Sequence, residues 1–278
     1  MNKQVCKRFE IVWSDFIDNL DSSENFQFKS DECQKKYCSN NNCDNNFGKI
    51  NAVCLYFFDA FFKDSSLFEH VAKSNINIVE YIMIWLSYML NLIKKGENDS
   101  LNYFYEIYIK GGQNYNKVIN GVESYYKNYK DLIDRKKYFL SMNKSIIFKF
   151  YEAFKSLCSL YNELDDDNQN CKKYLDDNND FFKKYEELKK DSSITIDNSY
   201  KKLLSTLLND YNNLKNKCNG TSSVSSIASK LFIVLSIFGA IAIFLGVSYK
   251  YSLFGFRKRF QKQKLRDKLK NIKKRMNQ

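Results

Sequence analysis

A chain of 278 residues with no proline, nine glycines and 16% aromatic residues has little with which to break helices or build tight turns, so it reads as all-α. Its charge of +12 does not describe the whole molecule: of 44 Lys/Arg, 12 crowd into Lys250 to Gln278 against the single acid Asp267, which leaves 32 Lys/Arg and 31 Asp/Glu for the rest. A basic nucleic-acid-binding domain is thereby excluded, and a lone histidine, His70, leaves His-paired nucleophile chemistry without a credible base.

The first predicted helix runs from Val5 to Leu20, with Phe9, Val12, Trp13, Phe16, Ile17 and Leu20 on one face. Its opening, MNKQVCKRFEIVWSDFIDNL, has no apolar h-region, so no cleavable signal peptide is expected. Residues 22–48 are polar and read as a long loop held by cross-links at Cys33, Cys38 and Cys43. From Ile50, INAVCLYFFDAFF is a short, very apolar helix, and Ser65 opens another turn or two to Lys73.

Ile76 to Ile93 carries Glu80 as its only charge and is long enough to suggest a membrane span. Asn77, Ser87 and Asn91 recur around it and no basic flank follows, so it is read as the central buried helix, with a second span as the alternative. LNYFYEIYI predicts a helix ended by Gly111-Gly112, and a longer helix is expected from Asn116 to Leu140, at risk of a break at Gly121. Lys144 to Leu164 shows a clean stripe through Ile147, Phe150, Tyr151, Phe154, Leu157, Cys158, Tyr161 and Leu164. Asp165-Asp166-Asp167 ends it, and helices near 171–190 and 199–217 follow.

The predicted organisation is a helical, cysteine-containing ectodomain over 1–218, a Ser-rich stalk over 219–230, a transmembrane helix over 231–249 and a basic tail over 250–278. Leu231 to Tyr249 is an uncharged run of 19 residues, a helix of about 28 Å against a hydrocarbon core of about 30 Å. The basic excess behind it places the C-terminus in the cytosol and the N-terminus outside or in a lumen. In the tail, Leu265, Leu269, Ile272 and Met276 form an apolar stripe. Arg257, Lys258, Arg259, Lys262, Lys264 and Arg266 are candidates for contact with an anionic inner leaflet. A plain stop-transfer signal is the alternative. Gly239, Ala242 and Gly246 line one face of the span and would permit weak self-association.

Eight cysteines stand as disulfide candidates: Cys6, Cys33, Cys38, Cys43 and Cys54 near the N-terminus, and Cys158, Cys171 and Cys218 beyond. Both groups are odd, so complete pairing would require a bridge between them. Buried free thiols are the alternative, Cys158 foremost. The spacing C-x4-C-x4-C lacks a C-x2-C knuckle, and no catalytic motif or EF-hand is present. No metal, cofactor or catalytic residue is therefore expected. Asn98, Asn143 and Asn219 each head an N-x-[ST] sequon, meaningful only on a lumenal domain.

Several segments together resemble the Plasmodium interspersed repeat (PIR) family of malaria parasites, especially its rodent-parasite branches. They include MNKQVCKRFE, KINAVCLYFFDAFFKDSS, VAKSNINIVEYIMIWLSYMLNLI, YKDLIDRKKYFLSMN, FYEAFKSLC, LLNDYNNLKNKC and SSIASKLFIVLSIFGAIAIFLGVSYKYSLFGFRKR, and so run from end to end. The resemblance implies a blood-stage variant antigen with one C-terminal span, at the infected erythrocyte or its vacuole, with immune evasion or host-cell adhesion as its role and no enzymatic activity. Family members often carry a longer, Pro/Ser/Thr-rich stalk; here it is twelve residues without proline, and no R-x-L-x-[EQD] export motif stands near the N-terminus. The host receptor is unknown. Two competing readings are a membrane-anchored scaffold facing the cytosol, and a protein whose working part is the tail.

Overall fold

The computed structural model describes residues 1–16, 18–29, 37–38, 43–93, 100–163, 175 and 178–218. They belong to the first of two units into which the chain divides, Met1–Gly220. The expected stalk, span and tail lie outside the described residues.

Four helices build the centre. α1 (Lys3–Asp15) starts where the Asn2 side chain accepts a hydrogen bond from Val5 N at 3.1 Å, and buries Val5, Cys6, Phe9 and Val12. α2 (Asn46–Phe62) is capped by Asn45 and buries ten of its 17 residues. After the short α3 (Ser65–His70), α4 (Ile78–Leu92) buries 13 of its 15 residues and so has no solvent face. α8 (Lys144–Glu163) packs on both α4 and α1. One aromatic knot joins the four: Phe9 stacks on Phe57 with centroids 4.3 Å apart and meets the edge of Phe154 at 4.8 Å, while Tyr81 stacks on Phe154 at 4.5 Å and Trp85 meets Phe57 at 5.2 Å.

Smaller elements close around this centre. α5 (Ser100–Phe104) widens into a π-helical turn, Tyr105–Lys110, and α6 (Gln113–Asn116), α7 (Tyr129–Asp134) and a 3₁₀ turn over Lys137–Ser141 lead to α8. α9 (Asp180–Lys190) and α11 (Asn198–Cys218) then pack on α8, with the short α10 (Ser192–Ile196) set against both of them. Among the described residues there is no strand, only an isolated bridge between Phe16 and Phe28.

At 15 residues α4 spans about 22 Å. Among the described residues no helix is long and apolar enough to cross a membrane. The helix belongs to the core, and its one charge is met there: Lys136 Nζ donates to Glu80 Oε1 at 2.5 Å, with both side chains buried, and Tyr138 donates to the same oxygen at 3.3 Å. A second buried knot centres on Asp210 of α11, whose carboxylate accepts from Tyr81 at 2.6 Å and from the Met1 ammonium group.

Two sequence expectations are corrected. The first helix ends at Asp15 and not at Leu20, because Phe16 turns to extended backbone (φ −111°, ψ 91°) and pairs with Phe28. Asp21 causes the reversal by accepting from the backbone of Ser23 and Asn25, both at 2.9 Å, which brings Phe26 and Phe28 back onto Phe16 at 5.3 and 4.7 Å. The continuous helix expected over Asn116 to Leu140 does not form. Gly121 sits at φ +84°, outside the helical region, and Ile119, Val122 and Tyr126 each dock separately into the core. Tyr126 anchors the loop by donating to the Phe62 carbonyl at 2.8 Å, and Asn128 starts α7 afresh by capping Asp131 N at 2.8 Å. Expected helix 171–190 begins, within the described residues, at Asp180, where Asn179 caps it.

Lys136→Met leaves Glu80 buried without a counter-charge and is expected to lower the unfolding free energy by about 3–5 kcal/mol. Pairing it with Glu80→Leu should restore most of that loss, as read by urea denaturation; a double variant no more stable than the single one would show that the pair is not what this position requires.

Candidate functional site

The cysteines divide into three situations. Cys6 on α1 and Cys158 on α8 form a disulfide, Cα–Cα 5.0 Å, across 152 residues of sequence, and both are fully buried. The bridge therefore joins the N-terminal and C-terminal cysteine groups directly. Cys38 and Cys43 close a local loop, and Cys218 is also disulfide-bonded. Cys33 and Cys171 lie outside the described residues. Cys54, counted above among the disulfide candidates, is a free thiol buried in α2. Complete pairing thus fails at Cys54, whereas Cys158 is a bridge partner, as its place among the disulfide candidates anticipated, and not the free thiol of the alternative reading. The reason is placement: Cys158 lies on the face of α8 that meets α1, whereas Cys54 points into the packed core beside Tyr115. Burial pushes the Cys54 thiol up to about 12, so it holds no reactive thiolate near neutrality.

Of the sequons, Asn98 and Asn219 lie outside the described residues. Asn143 is exposed at the start of α8, its Oδ1 accepting from Ser145 N at 2.8 Å and from Ser145 Oγ at 2.7 Å. The tail and span residues lie outside the described residues too. His70 is exposed in the last turn of α3. Among the described residues no group of three or more His, Cys, Asp or Glu could hold a metal ion.

What the sequence pattern missed is a cleft of about 360 Å³ at the outer side of α2. Asp59, the one acid within the apolar run INAVCLYFFDAFF, lines it, and that isolation was the available signal. The Tyr37 hydroxyl donates to Asp59 Oδ2 at 2.8 Å and the Tyr129 hydroxyl to Oδ1 at 2.7 Å. Burial first, then the neighbouring Asp59 carboxylate, pushes the Tyr129 phenol well above its ordinary value of 10.0.

Similar burial, reinforced by a carboxylate, raises Tyr81 and Tyr161 beside Asp210 and Tyr151 beside Asp18. Because the folded state keeps these phenols neutral beyond the pH at which the unfolded chain ionises, their contribution to stability is complete below pH 10.0 and is lost as pH rises past it. Alkaline titration should show tyrosinate absorbance from these groups appearing together with loss of helical ellipticity; ionisation with the helices intact would contradict their burial. Replacing Cys6 and Cys158 by Ala should cost about 2–5 kcal/mol of stability in denaturant melts. Cys54 should resist a thiol reagent until denaturant is added, as read by peptide mass.

No curated protein matches the chain. A family profile described as Plasmodium variant antigen protein Cir/Yir/Bir matches residues 6–250. Among solved structures, one described as a Plasmodium PIR protein ectodomain is 32% identical, with a TM-score of 0.58 over 80% of this chain and 93% of that one. With the profile spanning most of its length and an ectodomain fold shared with a solved relative, the chain belongs to the Cir/Yir/Bir family of Plasmodium variant antigens.

Proposed function

We propose that the chain is a variant antigen displayed at the surface of the infected erythrocyte or at the vacuole membrane, where it serves immune evasion or adhesion to a host protein and carries out no catalysis. The observation that carries outward or lumenal display is the buried Cys6–Cys158 disulfide, since structural disulfides persist in oxidising compartments and are rare in the cytosol. Leu231 to Tyr249 supplies the anchor, and the 12 basic residues after it set the orientation with the tail inside. Arg257, Lys258, Arg259, Lys262, Lys264 and Arg266 then meet the anionic inner leaflet, at about 1 kcal/mol per basic residue near the surface. Gly239, Ala242 and Gly246 offer a close-approach face for weak pairing of two spans. Asn98, Asn143 and Asn219 become available to lumenal glycosylation in this orientation.

Protease treatment of intact infected cells, followed with one antibody against residues 1–60 and another against the tail after Lys250, tests the reading. Loss of the N-terminal epitope with the tail protected is the expected outcome for surface display. Protection of both until the host membrane is opened would move the protein to an internal membrane and end the adhesin reading.

A further inference from the structure

The cleft beside α2 has a chemistry that its structural role leaves unused. Two cations, Lys63 at the end of α2 and Lys117 after α6, line it against one acid, Asp59. Neither lysine makes an ion pair with a described residue, and both are exposed. Asn114 and Asn120 also line it, and neither side-chain amide makes a hydrogen bond within the described residues. Asp59 is already oriented by Tyr37 and Tyr129, one hydroxyl to each oxygen. A carboxylate has about four acceptor positions, so two remain for donors arriving from outside. Val118, 52% exposed in spite of its apolar side chain, forms part of the same lining with Leu55 and Ile119.

From these groups we infer that the cleft is a binding site for a polyhydroxylated anion of monosaccharide size, a sugar acid or a sugar sulfate. The division of labour follows from the chemistry. Lys63 and Lys117 attract the negative group, Asp59 and the two amides take the ring hydroxyls, and the apolar wall of Val118, Ile119 and Leu55 covers the C–H face. A volume of about 360 Å³ falls at the low end of small-ligand sites, about 300–1,000 Å³, which suits one sugar ring and excludes a peptide helix. A neutral sugar would bring no charge for Lys63 and Lys117 to attract, and a bare inorganic anion would place like charge near Asp59 while offering no hydroxyl to its two remaining acceptor positions.

The test uses the full chain in nanodiscs of zwitterionic lipid, with glucuronate and glucose-6-sulfate as probes and with glucose and inorganic sulfate as controls, read by isothermal titration and saturation-transfer NMR. The basic tail is present throughout, so only binding that depends on the cleft lysines counts. At least one of the two probes should bind better than both controls, and whichever binds names the source of the charge. Lys63→Gln and Lys117→Gln, exposed positions on separate elements, should each weaken that binding about tenfold while leaving helical ellipticity unchanged. Absence of binding by both probes, equal binding of glucose or inorganic sulfate, or undiminished binding by both lysine variants would each overturn the assignment. Because purified protein is used, the outcome is independent of which membrane displays the chain in the cell.

Discussion

The described domain depends on enclosing α4. A helix with 13 of 15 residues buried has no polar face to offer water, so every side of it must be covered by another element, and each fully buried large apolar side chain contributes about 1.5–3 kcal/mol to holding that cover in place. The same requirement dictates where its single charge goes. An unpaired carboxylate in that position would cost several kcal/mol, and the segment after α7 supplies Lys136 to meet it. Tyr81, one residue further along α4, reaches Asp210 of α11 and ties the last described helix to the same axis.

Around that axis the fold is closed covalently. α1 and α8 both press on the aromatic knot formed with α2 and α4, and the Cys6–Cys158 bridge fixes their separation across 152 residues of sequence. Removing conformational freedom from the unfolded chain over so long a loop is where a disulfide has most effect. An interior fixed by enclosure, buried ion pairs and a bridge leaves the exposed residues with little structural duty, and surface substitutions away from such features usually change stability by less than about 0.5 kcal/mol. That separation suits a family whose members are variant antigens: the outer face can change while the core stays as it is.

Long apolar stripes were legible. α2, α4, α8 and α11 appear close to where their periodicity puts them, because each buries a continuous face or its whole circumference. The errors fall where a short-range pattern competes with long-range docking. Phe16 continues the stripe of α1 in sequence, yet Phe26 and Phe28 return to it from across a turn and convert it to extended backbone. Ile119, Val122 and Tyr126 look like one helical face, but each has its own seat in the core and Gly121 supplies the backbone conformation that lets them take it.

By itself the sequence determined an all-α chain, the identity of its most buried helix, a net positive charge carried almost wholly by the last 29 residues and membership in a family whose profile matches residues 6–250. Only the tertiary structure decided which cysteines meet, that Cys54 has no bridge, and that Asp59, Lys63 and Lys117 share one cleft. The physical reason is that apolar periodicity is a property of neighbours along the chain. Bridges and clefts are made by residues tens or hundreds of positions apart, and their meeting is settled by how helices pack around α4.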